Sequence, residues 1–188
     1  MDWIIFGLVV VWLAMVSWFD IRKNEIPHSA WVIIPIILAS AYRIWQGGWP
    51  LVLLTAFVVV VSERERISIL FQMNELGRII TWLPLLFLGA FFAVQLSPIA
   101  ALAIIGFWAA WELKWWGGAD AVSAITVCLI WPGMSFIVSF LVIHFIVVIA
   151  SGLVSMIREQ KIKLHRLPGL PILLASVLIL KVGTIFLT

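Results

Sequence analysis

Two aspartates, Asp20 and Asp120, are the residues best suited to chemistry in a chain that is 64% hydrophobic. The third aspartate, Asp2, lies at the start of the chain. Two carboxyl groups within hydrogen-bond reach share a proton, so that one acts as base and the other as acid. Such a pair can activate water for attack on a peptide carbonyl and then protonate the leaving amine. Because the pair titrates as a unit, neither role is assigned to one residue.

The residues before the second aspartate are small and flexible. Gly117, Gly118 and Ala119 precede Asp120 directly. Glycine permits positive φ and the close approach of another backbone, so we expect a substrate peptide to reach the aspartates here. An alternative remains open, in which the glycines only end the preceding helix.

The composition is that of a polytopic membrane protein. The 188 residues include only 11% charged side chains, against about a quarter in soluble domains, and the mean hydropathy is +1.19. The net charge of +3 is small and its basic residues lie between apolar runs, which argues against nucleic-acid binding. Cys128 is the only cysteine, so no intrachain disulfide and no cysteine cluster for zinc can form. We expect no metal or organic cofactor.

The apolar runs predict an all-α bundle of about eight transmembrane helices in one domain, residues 1–188, because hydrocarbon forces backbone amides to pair within their own segment. A surface-lying amphipathic helix is predicted over residues 63–78. Pro27 is expected to start the second helix, and Pro168 and Pro171 the last. The predicted spans are residues 3–19, 29–45, 51–61, 79–96, 99–111, 121–131, 134–157 and a last one from 167–171 to about 187.

The basic residues predict the orientation of the bundle. With eight alternating spans, Arg43 and Lys181 face one side, and the positive-inside rule makes the other side cytoplasmic. Asp20 and Asp120 then both lie at the cytoplasmic boundary. The third and sixth spans are short, and losing either one alone would separate the two acids. The cytoplasmic side holds ten of the twelve basic residues: Arg22, Lys23, Arg64, Arg66, Arg78, Lys114, Arg158, Lys161, Lys163 and Arg166.

Three motifs resemble those of the type IV prepilin peptidases, the Gly-x-Gly-Asp intramembrane aspartic proteases that also include pre-archaellin peptidases. They are the segment Asp-Ile-Arg-Lys-Asn-Glu-Ile-Pro-His from Asp20, the segment Gly-Gly-Ala-Asp ending at Asp120, and Pro-Gly-Leu-Pro from Pro168. They occur in the family's order, within a helical frame that covers essentially the whole chain. The resemblance implies an aspartic endopeptidase in the plasma membrane that removes the short leader of prepilin-like precursors, with Asp20 and Asp120 as the catalytic pair.

The sequence departs from this family at several points. Ala119 replaces a glycine, and because alanine restricts φ, a different turn is expected. No lysine follows shortly after Asp120, and His28 stands where asparagine is usual. The cysteine-rich insertion of the larger bacterial members is missing, so methyl transfer to the new N-terminus is not expected.

Two other hypotheses come from different classes of protein. The aspartates could relay protons or bind cations in a small transporter or channel. A non-catalytic assembly subunit would leave the three motifs unexplained. The expected partners are a prepilin-like substrate and the lipid bilayer, whereas the precursor cut and the oligomeric state stay open.

Overall fold

The computed structural model describes residues 3–23, 29–62, 87–159 and 169–186. These ranges contain eight helices and no strand, which confirms the all-α prediction. Residues 24–28 with Pro27, the predicted amphipathic segment 63–78, and Pro168 lie outside the described residues. The helices are α1 (Trp3–Lys23), α2 (a π-helical turn Ser29–Ile33 continued by Ile34–Trp45), α3 (Trp49–Ser62), α4 (Phe87–Leu96), α5 (Pro98–Glu112), α6 (Gly118–Ile130), α7 (Met134–Glu159) and α8 (Gly169–Phe186).

Both aspartates lie inside helices, although the sequence suggested that each belongs to a connection. α1 continues beyond Asp20 to Lys23, and α6 begins at Gly118, before Asp120. Arg22 follows Asp20 in the last turn of α1, where a positive side chain interacts favourably with the negative end of the helix dipole. Each aspartate therefore has a position set by helix geometry.

Helix α6 lies at the centre of the bundle. Residues 121–130 are all buried, and α6 packs against α2, α3, α5 and α8. A helix that is apolar on every side has no preferred face for solvent, so enclosure by other helices is its stable environment. With 13 residues, α6 is about 20 Å long.

The outer surface of the bundle is apolar. On α1, Val9, Leu13 and Val16 are buried, whereas Ile4 and Leu8 on the opposite face are exposed. Two helical stretches in the described part of the chain are long and apolar enough to cross a membrane: Trp3–Arg22, with a mean hydropathy of 2.3, and Met134–Val154, with 2.7. The remaining described helices are shorter.

Arg43 closes the C-terminal end of α6. Its Nε donates to the carbonyl oxygen of Leu129 and its Nη2 to that of Ile130, both at 2.8 Å. The last carbonyls of a helix lack partners within the helix, and a cation there also opposes the negative end of the dipole. Gly48 leaves room for the aliphatic part of Arg43, because a Cβ at position 48 would overlap that side chain. A buried guanidinium from α2 thus anchors the central helix.

Replacement of Arg43 by Met should lower the free energy of unfolding by about 1.5–3 kcal/mol, because two buried carbonyls lose a charged donor. The stability of Arg43→Lys should lie between those of the wild type and Arg43→Met, since a lysine ammonium lacks the forked guanidinium geometry that reaches both carbonyl oxygens. Thermal unfolding in detergent micelles measures the change. Arg22→Met is the control, because Arg22 is exposed and its guanidinium lies over the Trp18 ring, 4.1 Å from the ring centroid. Equal stability of Arg43→Met and the wild type would contradict the anchoring role.

Candidate active site

Asp20 lies at the same end of the bundle as the start of α8. Lys181 Nζ lies over the indole of Trp3, 3.7 Å from the ring centroid, so the last turns of α8 pack beside the first turn of α1. The two helices are therefore antiparallel neighbours. A rise of about 1.5 Å per residue carries α1 about 25 Å from Trp3 to Asp20, while α8 runs back about 18 Å to Gly169. Asp20 and Gly169 thus lie toward the same end.

Asp120 lies at this end as well. The rings of Phe6 and Trp131 are 6.4 Å apart, which puts the end of α6 beside the start of α1. The beginning of α6, with Asp120 in its first turn, therefore points toward the Asp20 end. The helix packing thus places both acids toward one end of the bundle, whereas Arg43 and Lys181 lie toward the opposite end.

The carboxyl group of Asp120 packs directly on Gly169. A Cβ at position 169 would lie 2.5 Å from Asp120 Cγ and 2.6 and 2.7 Å from its two oxygens. Gly169 is the first residue of α8, and Asp120 is in the first turn of α6. Helix N-termini carry free N–H groups and the positive end of the dipole, so both helices favour negative charge at this position. Of the predicted turn residues near Asp120, Pro171 falls in the first turn of α8, where proline is tolerated.

The chain reverses before Asp120 at a residue other than glycine. Lys114 has φ 58°, whereas Gly117 has φ −69° and ψ 146° as the N-cap of α6. The amide groups of Trp115 and Trp116 both donate to the carbonyl oxygen of Ala110 and close the turn. The positive φ of this turn thus lies on Lys114, and Gly118, the first residue of α6, is helical.

Gly118 instead provides space for an indole ring. A Cβ at position 118 would lie 3.0 Å from two ring atoms of Trp111, tighter than most real contacts. Ala119 is helical, so the change from glycine to alanine at this position imposes no strain in φ.

Two serines that the sequence analysis did not single out lie beside the aspartates in their helices. Ser17 precedes Asp20 by three residues on α1, and Ser123 follows Asp120 by three residues on α6. Both are buried, and neither hydroxyl has a hydrogen-bond partner among the described residues. The spacing of three residues from each aspartate was the signal available in the sequence.

His144 is a buried polar residue of α7 near this end. Ser176 Oγ donates to the carbonyl oxygen of Ile172 at 2.7 Å, so it accepts from His144 Nδ1, which lies 3.1 Å away. The ring of Trp116 meets His144 edge to face, with centroids 5.1 Å apart, and stacks on Phe107. His144 therefore connects α7, α8 and the turn before Asp120.

An apolar groove leads toward this turn along α5 and α7. Its volume is about 830 Å³, and its walls include Gly106 and Ala110 of α5, Leu141 and Phe145 of α7, and Trp116 at the Asp120 end. Small residues on α5 allow close approach of an apolar helix. Among the described residues, no three His, Cys, Asp or Glu side chains cluster as metal ligands would.

Protein-family models, curated proteins and solved structures were all compared with the chain, and none of them matches it.

Gly169→Ala should destabilise the fold, because the added methyl group overlaps the carboxyl group of Asp120, and overpacking typically costs about 1–3 kcal/mol. Gly183→Ala in the same helix is the matched control, since nothing lies within 4 Å of its Cβ position. The control should be neutral or slightly stabilising. Thermal unfolding in micelles provides the comparison.

A double variant locates the cause of this destabilisation. If the overlap with Asp120 is responsible, Gly169→Ala should cost much less in an Asp120→Ala background, because the two substitutions are coupled. Additive effects would show that the glycine is needed for another reason.

Proposed function

We propose that this chain is a membrane-embedded aspartic endopeptidase of the prepilin-peptidase type. It cleaves the short N-terminal leader of prepilin-like precursors at the cytoplasmic face, with Asp20 and Asp120 as the catalytic pair. The main support is the helix packing that brings the end of α1 and the start of α6 to the same end of the bundle. The resemblance of the three sequence motifs adds to it.

The membrane location and multi-pass topology are supported by the surface of the bundle. Large apolar side chains such as Ile37, Phe91 and Phe145 are exposed on α2, α4 and α7. Large exposed apolar side chains on several helices are costly in water and suit lipid. Helices α3 and α6 are short, but both pack against other helices of the bundle. This packing allows them to cross the membrane as part of the bundle.

Hydrolysis by the pair needs a water molecule between the two carboxyl groups. The ionised carboxylate accepts a proton from water while the water oxygen attacks the scissile carbonyl carbon. The protonated carboxyl group then gives its proton to the amine as the C–N bond breaks. The N-termini of α6 and α8 hold Asp120 in an environment that suits negative charge. Because the two carboxyl groups share a proton, the roles of acid and base belong to the pair and not to one residue.

The apolar groove between α5 and α7 suits the apolar helix of a precursor. A helix lying along Gly106 and Ala110 would run toward Trp116 and the turn that precedes Asp120. Its leader junction would then emerge at the end of the bundle where the aspartates lie. Burial of apolar side chains and close backbone approach would provide the binding energy.

Asp20→Asn and Asp120→Asn should each lower the cleavage rate at least about 100-fold, because an amide can neither accept nor donate the transferred proton. Membrane insertion and thermal stability should persist in both variants. Cleavage of candidate precursors in proteoliposomes is followed by the gel shift between precursor and product. Asp2→Asn is the matched control, with the same chemical change at the third aspartate.

Full cleavage by either Asn variant would exclude the aspartate pair as the catalytic group. Proton or cation flux in the same proteoliposomes that depends on Asp20, without any proteolysis, would favour the transporter hypothesis instead.

A further inference from the structure

The buried serines and threonines of the described residues fall into two classes. Thr55, Thr126 and Ser176 each donate to the carbonyl oxygen one turn earlier in their own helix, at 2.7–2.9 Å, as the partly buried Ser62 also does. This local bond is the usual way for a helical hydroxyl to avoid remaining unpaired in an apolar environment. Ser17 and Ser123, with 5% and 0% of their surface exposed, do not use it.

The two exceptional serines occupy equivalent positions relative to the aspartates. Residues three apart in a helix share a face, so Ser17 lies on the same face of α1 as Asp20, and Ser123 lies on the same face of α6 as Asp120. α1 reaches this end of the bundle with its C-terminus, whereas α6 starts there, so both serines lie on the inner side of their aspartate. The axial offset is about 4.5 Å in each case.

We propose that Ser17 and Ser123 are positioning residues whose hydroxyls hydrogen-bond the two aspartates through one water molecule and orient their carboxyl groups for proton sharing. This inference rests on the proposed function of the pair. A hydroxyl both donates and accepts, so it can bind a carboxylate and also a protonated carboxyl group. A carboxylate has about four acceptor sites, so the hydroxyl adds to its other partners.

The chain offers a matched control in Thr126, one turn beyond Ser123 on α6. Its hydroxyl is bonded to the carbonyl oxygen of Val122 at 2.8 Å. Thr126→Val removes a buried hydroxyl of the same helix without touching the aspartates. Ser17→Ala and Ser123→Ala remove the proposed partners.

Kinetics of precursor cleavage test the positioning role. Hydrogen-bond partners behind metal-binding side chains contribute on the order of 10- to 100-fold, and we expect at least the lower value here. Each Ser→Ala variant should lower kcat about tenfold with KM nearly unchanged, and should shift the pH–rate profile, because a hydrogen bond donated to an ionised carboxylate is stronger than one to the neutral acid. Thr126→Val should change neither. The titratable side chains at this end of the bundle are unchanged in every variant, namely Arg22, Glu112, Lys114 and His144, as are Arg43 and Lys181 at the opposite end.

Unfolding experiments test the same contacts without any cleavage assay. A hydroxyl that is truly unpaired makes Ser→Ala neutral or stabilising, whereas one bonded to a carboxyl group makes it destabilising. We expect Ser123→Ala to lower Tm in detergent micelles by about 2–4 °C in the wild type and to have no such effect in an Asp120→Ala background. Ser17→Ala and Asp20→Ala should be coupled in the same way.

The two experiments separate failure of the inference from failure of the proposed function. Cleavage by the wild type with an unchanged kcat and pH profile in both serine variants would overturn the positioning role. Additive Tm changes in both cycles would also overturn it. No cleavage of any precursor by the wild type, together with coupled Tm changes, would remove the peptidase assignment and keep the serine–aspartate contacts.

Discussion

The enclosure of α6 is the constraint on which the rest of the bundle depends. Ten consecutive residues of this helix are buried, so its two ends must find their hydrogen-bond partners within the protein. Arg43 provides them at the C-terminal end through two bonds from α2. At the N-terminal end, Asp120 packs on Gly169 at the start of α8. The same helix thus carries a cationic anchor at one end and a candidate catalytic acid at the other.

This arrangement explains how a small bundle can hold a carboxyl group rigidly. α6 cannot slide along its axis without breaking the bonds to Arg43, and it cannot approach α8 more closely because Gly169 already lacks a side chain. Asp20 depends on a different contact, the antiparallel packing of α1 on α8, in which Lys181 lies over Trp3. Helix α8 therefore contacts α1 and α6, the helices that carry the two aspartates, and this packing brings both aspartates toward the same end of the bundle.

The positions of the helices were largely predictable, and the details of their ends were not. The predicted limits of the first span, residues 3–19, and the sixth, residues 121–131, excluded the aspartates, whereas α1 and α6 include them. Charged residues mark the edge of hydrocarbon and not the end of a helix, because the last and first turns extend beyond the apolar run. The turn before Asp120 shows the same limit, because its positive φ falls on Lys114 and not on a glycine. Gly118 is small to leave space for Trp111, a contact that local sequence does not encode.

The sequence alone determined that the chain is helical, because long apolar runs can satisfy their amides only within their own segments. It also singled out Asp20 and Asp120, since acids are rare in such runs. Only the tertiary structure decided which side chains surround them. The contacts of Gly169 with Asp120, of Arg43 with Ile130 and of His144 with Ser176 join distant segments. A uniformly apolar helix has no periodic pattern to reveal its inward face, so these pairings depend on how the helices pack.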